Sequence, residues 1–272
     1  MATATHVRRN ALDDAARGDL IFSGGLVIFA GVAELEAFRS RVDDLVRTHL
    51  RTDDPELAQF TLAHDEYLDA VRAAQRSVRK DEVAHRLLAD AFRATGVDID
   101  DTYWDWVHLR VNPSGDGFAT TATGWHRDTW ASSLRAQTNW WTPIYPVTEG
   151  RTIAFAPAYW STPVANSSAD WTPRSTEVIP EPLEKIDPYE QRVVIEPGDL
   201  LCFSGAQLHR TVRNDTGRAR FSVEVRTLRG TDVRDGRGAA AVDDVAPQPQ
   251  YGWFHHLVDH RSAVDLEAER TP

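Results

Sequence analysis

Trp104-Asp105-Trp106-Val107-His108-Leu109-Arg110-Val111 is the stretch in which the chain changes period. Trp104, Trp106, His108 and Arg110 alternate with Asp105, Val107, Leu109 and Val111, the two-residue repeat of a strand. Upstream the repeat is helical. Leu35, Phe38, Val42 and Leu45 recur at three and four, and similar stripes run through 57–78 and 83–92 before Gly96, a natural helix stop. Only Gly25-Leu26-Val27-Ile28-Phe29-Ala30-Gly31 reads as a strand in that part. Downstream, short apolar or alternating runs at 137–147, 152–156, 192–195, 199–203 and 220–228 are separated by turn chemistry such as Asn112-Pro113-Ser114-Gly115, Pro197-Gly198 and Asn214-Asp215-Thr216-Gly217. The pattern predicts a β-rich (α+β) single domain over 1–272, with a polar, partly disordered tail at 1–20, a mostly helical part at 21–100 and a strand-built core at 101–229, of sandwich or barrel type. Residues 161–190 are rich in Pro, Ser and charge without a period, which predicts a long, lid-like insertion. An irregular extension, 230–272, closes on a short helix near 262–269.

The composition is that of an ordinary soluble globular protein, 42% hydrophobic and 26% charged. A net charge of −11 argues against nucleic acid or an anionic membrane as a partner. Cys202 is the single cysteine, so no internal disulfide forms and a reducing, cytoplasmic compartment is expected. Its place in Leu200-Leu201-Cys202-Phe203 reads as core. The first twenty residues lack the apolar segment of a signal peptide, and no apolar run nears the ~18 residues of a membrane span. The expected partner is a small molecule.

Chemistry concentrates in Trp125-His126-Arg127-Asp128-Thr129-Trp130. In extended chain, a two-residue offset returns a side chain to the same face, so His126 and Asp128 are a candidate ligand pair. Two His and one carboxylate make the facial triad of non-heme Fe(II) oxygenases, and His209 is a candidate third member. With ten histidines in the chain, a lone His-x-Asp also arises by chance, and His64-Asp65-Glu66 offers a rival. That rival lies in a helical pattern, where residues two apart diverge.

Further residues complete a pattern. Glu196-Pro197-Gly198-Asp199 turns into the apolar run before His209, Asn214 follows, and Arg220 stands eleven residues after His209. Trp141-Thr142-Pro143 and Thr148-Glu149-Gly150-Arg151-Thr152-Ile153-Ala154-Phe155-Ala156-Pro157 lie between the two ligand segments. Over residues 103–229 the chain resembles the Fe(II)/2-oxoglutarate-dependent dioxygenases, and within them the phytanoyl-CoA-dioxygenase-like branch. It departs from that pattern in having Glu149-Gly150 without an Asn, and Ala158-Tyr159-Trp160 where Gly-Ser-His is frequent; both departures bear on the substrate.

The resemblance implies a double-stranded β-helix (jelly roll), with helices of the N-terminal third packed on one sheet. It implies Fe(II) held by His126, Asp128 and His209, with 2-oxoglutarate on two of the open positions and O2 on the last. Arg220 would grip the far carboxylate of 2-oxoglutarate, since a guanidinium is a fixed, charged fork, and Ser222 on the same strand face would add a hydroxyl. Arg218 is the rival for that role. Gln137 and Asn139 would contribute polar contacts to 2-oxoglutarate, with hydrogen bonding at the core edge as the alternative. Asp128 argues against the halogenating relatives, which have Gly or Ala there. Hydroxylation of an unactivated C–H is therefore expected, with desaturation or ring closure as variants. Trp130 or Trp141 would line the substrate pocket, with plain packing as the alternative. Arg110, beside His108, either faces the barrel or is structural. His255, His256 and His260 read as surface residues. Two other readings remain open: a cupin-like metal isomerase or lyase, and a non-catalytic jelly-roll binding domain.

Overall fold

The structure, a computed structural model, describes residues 3–115, 123–173, 179–187 and 189–269. The helical part holds α1 (Asp14–Phe22), α2 (Glu34–Leu50), α3 (Ala58–Thr61), α4 (His64–Lys80) and α5 (Glu82–Ala94). On α2 the stripe Leu35, Phe38, Val42, Val46 and Leu50 is buried, and on α4 the stripe Tyr67, Val71, Ala74 and Val78. Asp81 caps α5 by accepting the Ala84 amide at 2.8 Å and pairs with Arg41 of α2 at 2.6 Å, which fixes the angle between the helices. Gly96 ends this part at φ +91°, with a would-be Cβ 2.6 Å from the Leu12 carbonyl oxygen, so only glycine fits.

The strands are β1 (Thr5–Arg8), β2 (Leu26–Phe29), β3 (Thr102–Trp104), β4 (His108–Asn112), β5 (Thr138–Pro143), β6 (Ile153–Phe155), β7 (Gln191–Val193), β8 (Leu200–Ser204), β9 (His209–Thr211), β10 (Arg220–Arg229) and β11 (His255–His256). An eight-stranded sheet runs β1-β2-β8-β5-β10-β3-β11, with β4 also paired to β10, and a three-stranded sheet runs β7-β6-β9. All pairings are antiparallel except that of β1 with β2. One face of the large sheet packs on the helices, and the other packs on the small sheet.

The two-residue period sorts side chains between those two cores. Val27, Phe29, Leu109, Val111, Trp140, Cys202, Phe221, Val223 and Val225 join the helices. Leu26, Ile28, Trp141, Leu201 and Phe203 meet Ile153, Phe155 and Val193 of the small sheet. The adjacent Trp140 and Trp141 thus go to opposite cores. Cys202 is fully buried, and burial pushes its thiol up to about 12, as a core residue requires.

Four expectations change. Residues of the 1–20 stretch are not a tail: β1 extends the large sheet and α1 packs on β2, with Asp13 capping α1 through the Ala16 amide. The alternating run at 103–111 is two strands, because the backbone turns at Asp105 to bury its carboxylate against Arg226 at 2.6 Å and His108 at 3.2 Å. His256 is not a surface residue: it is buried, its Nε2 lies 2.9 Å from the Asp100 carbonyl oxygen and its ring meets Tyr103 edge-on. The 230–250 stretch, expected to be irregular, opens on α7 (Gly230–Arg234), while the short helix expected near 262–269 is present as α8 (Val264–Ala268).

Trp140 is the centre of the helix–sheet core, with Phe92 at 4.9 Å, Phe29 at 6.2 Å and its Nε1 donating to Thr227 Oγ1 at 2.9 Å. Trp140→Ala is expected to lower the unfolding free energy by about 3–5 kcal/mol. Chemical denaturation measures this, and a loss under about 1 kcal/mol contradicts the packing described.

Candidate metal centre

His126 and Asp128 do not lie on a regular strand. His126 forms an isolated antiparallel bridge with His209, each amide donating to the other's carbonyl at 3.0 Å, and Asp128 is the first residue of α6 (Asp128–Ser132). Arg127 between them is extended, at φ −113° and ψ 134°, which turns both side chains to one side. His209 opens β9, paired with Phe155 of β6. The two imidazoles are therefore registered by backbone hydrogen bonds on the small sheet, facing the inner face of the large one. The rival His64 opens α4, on the helical layer.

His126 Nε2 lies 3.8 Å from Asp128 Oδ1, His209 Nε2 lies 3.9 Å from Asp128 Oδ2, and one atom from each residue falls within 4.8 Å of the others. Two ligands of one ion, each about 2 Å from it, stand roughly 3–4 Å apart. Both rings are oriented for ligation. His126 Nδ1 meets the Gly124 carbonyl oxygen at 2.9 Å and His209 Nδ1 meets that of Gln207 at 2.9 Å. A carbonyl only accepts, so Nδ1 carries the proton and Nε2 offers its lone pair. Burial, helped by the neighbouring His209, holds the His126 imidazole down to about 4, so it is neutral at pH 7. The chemistry of this donor set fits a divalent metal ion.

Asp128 is held from the large sheet. Asn139 Nδ2 donates to Asp128 Oδ2, and Gln137 Nε2 donates to Asn139 Oδ1 at 2.9 Å. Asn139 thus meets Asp128, and Gln137 reaches it only through Asn139. Arg226 Nη1 stands 4.0 Å from Asp128 Oδ1.

The trio opens on a cavity of about 230 Å³ also lined by Arg110, Trp141, Ile179, Arg220, Glu224 and Arg226. A larger groove of about 460 Å³, between α5 and residues 257–260, lies apart from the trio. Strand β10 supplies the polar wall: Arg220, Ser222, Glu224 and Arg226 alternate with Phe221, Val223 and Val225, which face the helices. Arg220 is buried, and its Nη1 donates to the Thr152 carbonyl at 3.1 Å. Its Nε, and the Ser222 hydroxyl on the same strand face, have no hydrogen-bond partner among the described residues. Burial pulls the Arg220 guanidinium down to about 10, still a cation at pH 7. The rival Arg218 is committed elsewhere, to Asp54 and Glu56 at 2.9 Å.

Arg110 pairs with Glu224 at 3.2 Å. Although burial opposes it, Arg110 and Arg226 hold the Glu224 carboxyl far below the usual carboxylate range, so it is an anion and no proton donor. Trp141 lines the cavity, with the Arg220 guanidinium 6.0 Å from its ring. Trp130 does not line it: on α6 it is fully buried with Ala156, Val164, Ile186 and Leu208, and its Nε1 donates to Asp243 at 2.7 Å. Glu224 and Arg226 were legible by extending the alternation that singled out Arg220 and Ser222. Trp253, 5.4 Å from the Arg226 guanidinium and 6.0 Å from Trp171, carries no such signal.

His126→Ala is expected to abolish stoichiometric metal binding, read as metal content after dialysis; a full complement contradicts the ligand set. Asn139→Leu is expected to weaken metal affinity roughly 10- to 100-fold by freeing Asp128, and an unchanged affinity shows that Asn139 does not orient it.

No helix among the described residues is long and apolar enough to cross a membrane. No protein-family model matches the chain, and no curated protein sequence does either. Solved structures that resemble it include the apo form of the non-heme monooxygenase ThoJ, at 17% identity over 86% of this chain and 88% of that one, TM-score 0.47. Another is the epimerase SnoN in complex with Fe3+, alpha-ketoglutarate and nogalamycin RO, at 15% identity over 86% and 96%, TM-score 0.44. A third is AviO1 from Streptomyces viridochromogenes Tue57, at 14% identity over 85% and 99%, TM-score 0.42. At these similarities the neighbours are likenesses only, and what the site can do follows from this chain's own geometry.

Proposed function

We propose that the protein is an Fe(II)/2-oxoglutarate-dependent dioxygenase that hydroxylates an unactivated C–H of a small molecule. The observation that carries this reading is the meeting, in one cavity, of a His-Asp-His donor set with a buried arginine whose Nε has no hydrogen-bond partner among the described residues. The first fits a divalent ion, and the second fits a carboxylate. The two face-to-face sheets support a jelly roll beneath them. The eleven-residue spacing from His209 to Arg220 supports the phytanoyl-CoA-dioxygenase-like branch.

In this reading His126 and His209 present their Nε2 lone pairs and Asp128 a hard anionic oxygen, leaving open positions toward the cavity. His126, Asp128 and His209 would hold Fe(II), which with 2-oxoglutarate and dioxygen would supply the oxidising power to hydroxylate an unactivated C–H. Arg220 Nε and the Ser222 hydroxyl bind the far carboxylate, and Trp141 forms the wall beside it. Gln137 acts through Asn139, which keeps Asp128 turned to the ion. Arg110 and Glu224, a fixed donor–acceptor pair in the cavity wall, orient substrate polar groups. Ile179, from the lid-like stretch, lines the cavity, where a lid would keep water from the reaction. An aspartate at 128 fills the position that a halide would need, so the expected outcome is hydroxylation.

Succinate release from 2-oxoglutarate by the Fe(II)-loaded protein is the direct assay. Arg220→Ala is expected to raise the half-saturating 2-oxoglutarate concentration by about 100-fold, the roughly 3 kcal/mol of a charge-assisted hydrogen-bond pair. An unchanged requirement, or turnover indifferent to 2-oxoglutarate, favours the isomerase or lyase reading instead. Asp128→Gly is expected to abolish hydroxylation, and wild-type turnover would place the carboxylate ligand elsewhere.

A further inference from the structure

Arg127 stands between the two ligands His126 and Asp128, yet its side chain points away from the metal centre into a buried knot. Its guanidinium is 2% exposed. Nη1 donates to the Ala206 carbonyl at 2.6 Å, in the turn that leads to His209. Nη2 donates to the carbonyls of Tyr159 at 2.5 Å and Thr162 at 3.2 Å, where the 161–190 segment begins. Nε faces Asp243 Oδ2 at 2.7 Å.

Asp243 comes from the C-terminal extension and is as fully engaged. It accepts from Trp130 Nε1 at 2.7 Å and from the Val164 amide at 2.8 Å. The Asp244 carbonyl accepts from Asn166 Nδ2 and Ser168 Oγ, both at 3.1 Å, and the Ala246 amide donates to the Trp130 carbonyl at 2.8 Å. Beside this knot, Ile186 of the same segment packs with Trp130, Val164 and Leu208, and Leu208 precedes the ligand His209.

A buried ion pair is weak evidence for stability, since an apolar pair of like volume fills the space as well. What the fork of an arginine adds is registration of several acceptors at fixed angles. Here the donor stands in the segment bearing His126 and Asp128, its carbonyl acceptors belong to the turn before His209 and to Tyr159 and Thr162 at the start of the following segment, and its ion-pair partner Asp243 belongs to the C-terminal extension. We propose that Arg127 is a positioning residue which, through Asp243, couples occupancy of the metal centre to the seating of residues 159–168 and of Ile186. This rests on the reading of His126, Asp128 and His209 as metal ligands. Coupling of this kind is reciprocal: an ion that rigidifies the ligands tightens the segment, and a detached segment weakens the ion.

The test uses the full chain, Co(II) as the probe, and digestion by a lysine-specific protease. Lys80 and Lys185 are the two lysines of the sequence. Cutting at Lys185 requires Ile186 to leave its cluster, while Lys80, at the end of α4 on the helical layer, is the internal control. In the wild type, saturating Co(II) is expected to slow cleavage after Lys185 several-fold and leave cleavage after Lys80 unchanged. Asp243→Asn is expected to weaken Co(II) binding, followed by its ligand-field absorption, by about tenfold or more, and to abolish the protection of Lys185. Because that substitution leaves Arg127 a lone buried cation, the double variant R127M/D243L, which removes both charges, is the second arm and is expected to behave the same way. A merely structural pair lowers the melting temperature but leaves Co(II) affinity and metal-dependent protection intact in the folded variants, and that result overturns the proposal. A wild type that binds Co(II) without protecting Lys185 overturns it alone. A wild type that binds no Co(II) overturns the metal-centre reading with it.

Discussion

Strand β10 is buried on both faces, and the two faces carry opposite chemistry. Phe221, Val223 and Val225 enter the helix-packed core, while Arg220, Ser222, Glu224 and Arg226 enter the space between the sheets. Charged groups taken out of water must be paired or must await a partner. Most here are paired: Arg226 with Asp105, and Glu224 with Arg110. Arg220 is the exception, and its unpaired Nε beside the Ser222 hydroxyl is what makes the interior a site. The candidate ligands His126, Asp128 and His209 reach the same space from the opposite sheet, so in the proposed reading the distance between sheets sets the distance between the ion and the Arg220 grip.

That arrangement also resolves an apparent mismatch of charge. The chain carries a net −11, yet its cavity wall concentrates Arg110, Arg210, Arg220 and Arg226. Arg110, Arg210 and Arg226 are each neutralised by a carboxylate, so it is Arg220 that leaves a positive charge open to an anion in the cavity, as the proposed binding of 2-oxoglutarate needs. Asp128, held by Asn139 and near Arg226, is kept turned toward the cavity, as its proposed role of ligand needs.

The helical stripes, the two-residue period and the spacing of His126, Asp128, His209 and Arg220 were legible because each is a local or fixed-interval pattern. The strand assignment of Asp128 failed because only Arg127 needs to be extended for the two ligands to converge, and a short helix can begin at once. Of the alternatives Trp130 and Trp141, helix α6 turns Trp130 into the core, in keeping with plain packing, whereas the strand residue Trp141 faces the cavity. Gln137 and Asn139 were rightly placed on one face, but which ligand they meet depends on where α6 sets Asp128. The ties of Asp105 to Arg226 and of Arg127 to Asp243 join distant parts of the chain with no periodic trace. The expectation of a tail at 1–20 missed β1 because three of its four residues are polar and its one apolar residue, Val7, is exposed, so its strand depends on backbone pairing with β2.

The most direct measurement is an anaerobic titration of the Fe(II)-loaded protein with 2-oxoglutarate, followed by visible absorption. The account predicts a metal-to-ligand charge-transfer band that saturates at one 2-oxoglutarate per iron, is absent in His126→Ala, and shifts to much higher concentration in Arg220→Ala. A loaded wild-type protein that develops no band, or a band untouched by His126→Ala, would contradict it.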